Sequence, residues 1–202
     1  MRYADPVIVD PGNRAPAPEP LRLVQAFVNT RDIENDLDEL TSPAALGLAL
    51  AEIGVPVDGT PTADELERAL AVREALRALT LANSGIPADA GRLATLDRAA
   101  EAARYTARFK DRDARLLPRA PGVDGALGEI LAVVHRSMAD GTWSRLKGCP
   151  RDVCHWAFYD RSTNNGATWC SMQVCGNREK ARTFRKRTRA LATDQNSALA
   201  TV

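Results

Sequence analysis

The sequence predicts a mainly α chain with small β elements: an N-terminal helical domain over residues 1–140, a compact module over 145–192 in which a β-hairpin is followed by a helix, and a disordered tail over 193–202. Three observations carry this. Apolar residues recur at helical spacing, between recognisable caps, through most of residues 21–138. All four cysteines, Cys149, Cys154, Cys170 and Cys175, fall within 27 residues as C-x4-C-x15-C-x4-C. Charge divides at the same point: residues 1–144 hold 16 Lys and Arg against 22 Asp and Glu, net −6, whereas residues 145–202 hold 11 against 4, net +7. A length of 202 residues suits one core plus a small stapled unit rather than two full domains.

Residues 7–9 have the composition of a short strand, and four prolines in residues 11–20 predict an extended arm. Apolar positions 21, 23, 24, 27 and 28 then mark a buried helix. Ser42-Pro43 is an N-cap followed by proline at the first helical position, with a stop at Gly54. Thr62-Ala63-Asp64-Glu65 is a capping box, and Leu66, Leu70, Val72, Arg73, Leu76, Leu79 and Thr80 follow at helical spacing towards Gly85. A further helix is predicted over about residues 89–103. Tyr105, Ala107 and Phe109 alternate, and residues 114–118 return after a charged turn, which predicts a hairpin. Apolar positions 127, 130, 131, 133 and 134 indicate one more helix, on whose apolar face His135 is expected as a core histidine. The carboxylates Asp36, Asp38 and Glu39 read as solvated helix faces.

Two closely spaced thiolate pairs are the donors that a tetrahedral divalent ion needs, since Zn2+ binds four sulfurs at about 2.3 Å and a hairpin can bring two such jaws together. Two disulfides, an iron–sulfur cluster and a redox switch are the rival uses of four cysteines. Residues 1–20 show no basic segment followed by an apolar one, so the expectation is a cytoplasmic protein with structural Zn2+ as its cofactor. Four thiolates leave no open position for water, and no nucleophile–base set or phosphate loop emerges elsewhere, so no enzymatic activity is expected. The longest uncharged apolar run, residues 44–51, is too short for a membrane span.

Within the cysteine module, residues 155–160 have strand composition, Thr163-Asn164-Asn165-Gly166 is a turn signal, and residues 167–170 can return as the second strand. Asn177 can then cap a helix reaching about residue 192. Knuckle, hairpin and helix in this order describe a treble clef or zinc ribbon, whose last cysteine pair lies near a helix N-terminus. Trp143, Trp156, Phe158, Trp169 and Phe184 are the expected core of the module.

The stretch ending in Cys175-Gly176-Asn177-Arg178 resembles the CGNR zinc-finger family over about residues 145–187. The resemblance implies Cys149, Cys154, Cys170 and Cys175 as metal ligands, Asp160-Arg161-Ser162 as the hairpin turn and Trp169-Cys170-Ser171-Met172 as the strand entering the second knuckle. Phe27-Val28-Asn29-Thr30 and Val72-Arg73-Glu74-Ala75-Leu76-Arg77 resemble that family's usual partner, a helical domain described as a stress-induced transcription regulator. One departure stands out. Residues 163–168 contain no arginine where family members commonly place basic residues, so the resemblance does not carry a nucleic-acid role over to the hairpin tip.

Further roles follow from the residues themselves. The last helix carries Arg182, Arg185, Lys186 and Arg189 opposite an apolar stripe of Ala181, Phe184, Thr188 and Leu191, so it is the expected contact to DNA, or to RNA. Arg178 is expected to pair with Asp160, Gly176 to permit a close or positive-φ turn, and Asn177 to cap. Asn29, Thr30, Arg73 and Arg77 would line a pocket for a small-molecule effector if the first and third helices pack together. A docking or homodimer interface without nucleic acid is the alternative use of the module.

Overall fold

The computed structural model describes residues 16–111, 113–186 and 188. The expected strand at 7–9, Arg189 and Leu191, and the tail at 193–202 lie outside these residues. Helix α1 (Leu21–Asn29) buries Leu21, Val24, Phe27 and Val28. It is followed by a hairpin of two-residue strands, β1 (Arg31–Asp32) against β2 (Leu37–Asp38), with Arg31 opposite Asp38. Polar side chains close this hairpin: the Asp32 carboxylate accepts from the backbone and side-chain nitrogens of Asn35, and Arg31 reaches Asp36. Asp36, Asp38 and Glu39 therefore flank or form a β turn rather than a solvated helix face. Asp38 is the clearest correction, because it accepts a two-pronged hydrogen bond from Arg73.

Helix α2 (Pro43–Glu52) starts where the Ser42 side chain accepts from the Ala45 amide, and α3 (Ala63–Ala82) starts from a complete capping box between Thr62 and Glu65. Asp89 caps α4 (Ala90–Ala103) by accepting from Arg92 N–H. Strands β3 (Thr106–Lys110) and β4 (Asp113–Leu117) form an exposed antiparallel pair, and α5 (Gly122–Ala139) closes the helical layer. The core holds Phe27, Leu46, Leu50, Val72, Leu76, Leu127 and Ile130, all essentially inaccessible. His135 is not part of it. Its ring lies on the exposed side of α5, because one residue beyond buried Val134 the helix has turned its side chains outward.

A single 3-10 turn (Trp143–Arg145) leads into β5 (Leu146–Gly148), which pairs antiparallel with β6 (Ala157–Tyr159), Gly148 opposite Ala157. The hairpin thus encloses the first cysteine pair. Residues 167–170 form no strand, which corrects the pairing expected from composition. The partner of β6 lies upstream because Leu146 and Ala157 are buried in the helical core, and that burial fixes the register. Trp143 belongs to the same core, not to a separate one in the cysteine module.

The end of α3 holds β5 in place. Asn83 donates to the carbonyls of Trp143 and Leu146, and Ser84 to that of Gly148. A Cβ at Gly148 would lie 2.9–3.0 Å from Leu81, including its backbone nitrogen. Gly148→Ala is expected to lower the unfolding free energy by about 1–3 kcal/mol through overpacking. A urea titration with an unchanged midpoint would show that this seam is looser than its distances imply.

Candidate metal centre and its basic flank

The hairpin continues one bond past its strands, with Cys149 N–H donating to Trp156 O at 2.9 Å. This places Cys149 and Cys154 in the connecting loop, tightened by Cys154 N–H donating to Arg151 O. The second pair arises from a helix start. Ser171 accepts from Val174 N–H, a π-helical turn (Met172–Gly176) carries Cys175, and residues 177–186 (α6) continue as α-helix. The cap is therefore Ser171 and not Asn177, which is already helical at φ −69°, ψ −38°. The helix begins earlier than the sequence implies because Gly176 N–H closes back onto Ser171 O at 3.0 Å. Gly176 serves by close approach, since a Cβ there would meet the Met172 sulfur at 2.5 Å and the Trp169 ring at 3.2 Å.

The four sulfurs lie within 4.8 Å of one another and all four residues are buried. Cys154 and Cys170 sulfurs are 3.6 Å apart, and those of Cys170 and Cys175 3.5 Å. These are non-bonded distances, so all four cysteines are free and no disulfide joins them. An ion bound by thiolates at about 2.3 Å needs sulfur–sulfur edges of about 3.8 Å, which the cluster approaches without rearrangement. Hydrogen bonds from Cys154 and Cys170 hold the Cys149 thiol far below its ordinary pKa, at about 2, while Cys154 is pushed up to about 12 by its bond to Cys149. Cys170 is also raised, by its bonds to Cys149 and Cys154. Cys149 is thus the sulfur most readily held as a thiolate, and a bound cation would favour loss of the protons that Cys154 and Cys170 retain. Trp156 and Phe158 shield the cluster and Trp169 packs against it.

A family model described as CGNR zinc finger matches residues 145–188. A second, ABATE, described as a putative stress-induced transcription regulator, matches residues 21–141, more than half of the chain. The chain belongs to the ABATE family. It carries a CGNR zinc finger behind the helical domain. A search of curated proteins returns no match. No helix among the described residues is long and apolar enough to cross a membrane.

In this ABATE protein Asp160 pairs with Lys147 and not with Arg178. Lys147 Nζ donates to Asp160 Oδ2 at 2.8 Å, and the second carboxylate oxygen accepts from the Ser162 amide and hydroxyl. The pair is buried and also binds the loop to the second knuckle, through Ala167 N–H to Asp160 and Lys147 to Asn165 O. Strand alternation puts Lys147 on the face opposite core-facing Leu146, and its burial there comes from the loop before the second knuckle, which no local pattern marks. Arg178 instead contacts Glu34 on the β1–β2 turn. Glu34 also accepts from Arg151 at 2.8 Å. Sequence reasoning missed both Glu34 and Arg151. Arg151, between the first two cysteines, is detectable as a cation beside a thiolate cluster, whereas nothing local marks Glu34.

Asn29, Thr30, Arg73 and Arg77 do come together, as a set of internal hydrogen bonds instead of the walls of an open pocket. Arg73 binds Asp38 and Glu74. Arg77 binds Glu74, Val28 O and His155 O. Asn29 clasps Ala157 through the nitrogen and the oxygen of its side-chain amide. Burial alone would raise the pKa of Glu74, but Arg77 and Arg73 outweigh it and keep the carboxyl below its usual value. On α6, Arg182 pairs with Glu179, Arg185 donates to Ala181 O, and Lys186 is exposed. Ala181 and Phe184 are exposed too, Phe184 by 71%, so the apolar stripe packs against nothing described. The other expected core aromatics of the module are Trp156, Phe158 and Trp169.

Burial would raise the Asp160 pKa, yet Lys147 and Ser162 outweigh it and the carboxyl is strongly lowered. A carboxyl lowered on folding contributes stability above its unfolded value, about pH 4, that is lost as pH falls further. Asp160→Ala leaves Lys147 buried and unpaired, and the expected loss is about 3–5 kcal/mol at pH 7. Denaturant titrations from pH 7 to pH 3 should show wild-type stability declining more steeply than that of the variant; parallel curves would contradict the pairing.

Proposed function

We propose that this protein regulates transcription by contacting duplex DNA through α6, with one structural Zn2+ held by Cys149, Cys154, Cys170 and Cys175. The observation that carries this reading is the placement of the charges. Arg178, Lys180, Arg182, Arg185 and Lys186 are all exposed on a helix rooted at the fourth cysteine. A helix displaying cations to solvent can neutralise phosphates and release their counterions. The acidic balance of the helical part would repel the same polyanion, so the basic face should dock alone. Four thiolates and no open coordination position suit a shaping ion, and the reading assigns the protein a binding role without catalysis, in the cytoplasm.

Metal analysis is expected to find one Zn2+ per chain, and Cys170→Ser to abolish its binding. Zinc removal should sharply raise hydrogen exchange at residues 170–186 while amides in α1, α3, α5 and β6 stay protected. Persistent protection of 170–186 without metal would refute a shaping role for the ion.

The DNA contact has its own test. Replacing Arg182, Arg185 and Lys186 together by alanine is expected to lower the slope of log affinity against log salt by about 0.9 for each duplex phosphate that is no longer neutralised. Fluorescence anisotropy over a salt series reads it, and equal slopes for both proteins would rule out this interface. Exposed Phe184 beside Ala181 supports a second reading, a protein partner or second copy seated on α6. That partner would bind with little dependence on salt.

A further inference from the structure

Glu34 belongs to the helical domain, yet its side chain ends among the cations of the finger. It accepts from Arg151 Nη1 at 2.8 Å and contacts Arg178 Nη1. Glu34 and Arg151 are only partly accessible, at 23% and 20%, and Arg178 is exposed, at 54%. Both arginines border a cleft of about 460 Å³ between the first knuckle and α6, which Trp169, Arg182 and Arg185 also line. The cleft wall holds four arginines against two carboxylates, Asp152 and Glu179. Glu179 is already paired with Arg182 along the helix. A ligand entering the cleft therefore meets Arg151 and Arg178 without any rearrangement of the backbone.

A guanidinium pair that holds one carboxylate oxygen offers the donors that also suit a phosphodiester oxygen. A site of two arginines with an anion already in it is thus built into the seam between helical domain and finger. We propose that Arg151 and Arg178 form a phosphate-binding site for the DNA backbone, and that Glu34 occupies it in the free protein until a phosphate displaces it. This rests on the DNA-contacting reading above. It adds a second phosphate site beside Arg182, Arg185 and Lys186, and it makes the helical domain a competitor for the finger's own ligand.

A partly exposed ion pair contributes little to stability, so neutralising Glu34 should alter binding far more than folding. The test compares wild type, Glu34→Gln, Arg178→Ala and the double variant, each with metal content and melting temperature measured. Binding to a labelled duplex of arbitrary sequence is followed across a salt series. Glu34→Gln is expected to bind about three- to tenfold tighter at low salt, with metal content and melting temperature unchanged. In the Arg178→Ala background that gain should shrink, and the salt slope should fall by about 0.9. If Glu34→Gln binds no tighter while the α6 triple variant still weakens binding, the displacement proposal fails and the DNA reading stands. If no variant and no wild-type protein binds duplex DNA at low salt, both fall. A gain confined to single-stranded RNA would overturn the assignment to duplex DNA.

Discussion

The clasp between Asn29 and the backbone of Ala157 is the contact on which the arrangement of this molecule depends. The side-chain amide donates to Ala157 O at 2.9 Å and its oxygen accepts from Ala157 N–H at 2.8 Å, so one residue of α1 satisfies β6 as a neighbouring strand would. Gln25, one turn earlier, donates to the same carbonyl. Without these partners the edge of a three-residue strand would be buried with unpaired backbone groups, which is costly. With them, the β5–β6 hairpin becomes part of the helical core while its loop carries the first two cysteines. The finger is thus not a bead on a linker. Its first knuckle inherits its position from α1 and α3, and an ion held by the four sulfurs would have only to draw the second knuckle onto it.

Charged residues line this seam at three depths. Arg73 with Asp38 ties α3 to β2, Arg77 with Glu74 ties α3 to the backbones of Val28 and His155, and Lys147 with Asp160 ties β5 to the loop before the second knuckle. Buried ion pairs add little net stability, because desolvation offsets much of the attraction. Their directional donors instead penalise any other register, since a shift would strand a charge in a low-dielectric interior. Arg77 illustrates the cost: burial lowers its pKa although Glu74 opposes that shift. A residue under such a penalty is retained by its geometry, through bonds to two carbonyls from different parts of the chain.

The sequence is legible where structure is local and opaque where it is long-range. Ser42, the Thr62–Glu65 box and Asp89 each announce a helix start through a side chain meeting an amide three residues away, so those starts can be read directly. The sulfur cluster is readable because two short-spaced thiol pairs need only one fold of the chain to converge. The partner of β6 is not, since residues 167–170 and Leu146–Gly148 look alike as strand formers and the choice is made by burial of Leu146 under α3. Arg178 looks complementary to Asp160 for the same reason that any arginine looks complementary to any aspartate. Lys147 wins because strand pairing puts its ammonium beside the carboxylate before α6 begins.

Helix α6 depends on the end at which the four sulfurs gather. From residue 181 to residue 186 every side chain is exposed, so no tertiary packing among the described residues stabilises the helix along that length. A helix of about 12–15 residues without packing is marginal in water, and the largest part of its cost is the first turn. Here the first turn is the knuckle: Ser171 caps it, Cys175 lies within it, and Gly176 N–H closes it. An ion that gathered Cys170 and Cys175 onto Cys149 and Cys154 would fix those dihedrals in advance, so that elongation through the basic residues would start from a completed nucleus. The basic face is then displayed at a defined angle from the helical domain without a hydrophobic contact of its own. That leaves the exposed surface of α6 free to meet a ligand, at the expense of making its order depend on four sulfur atoms at one end.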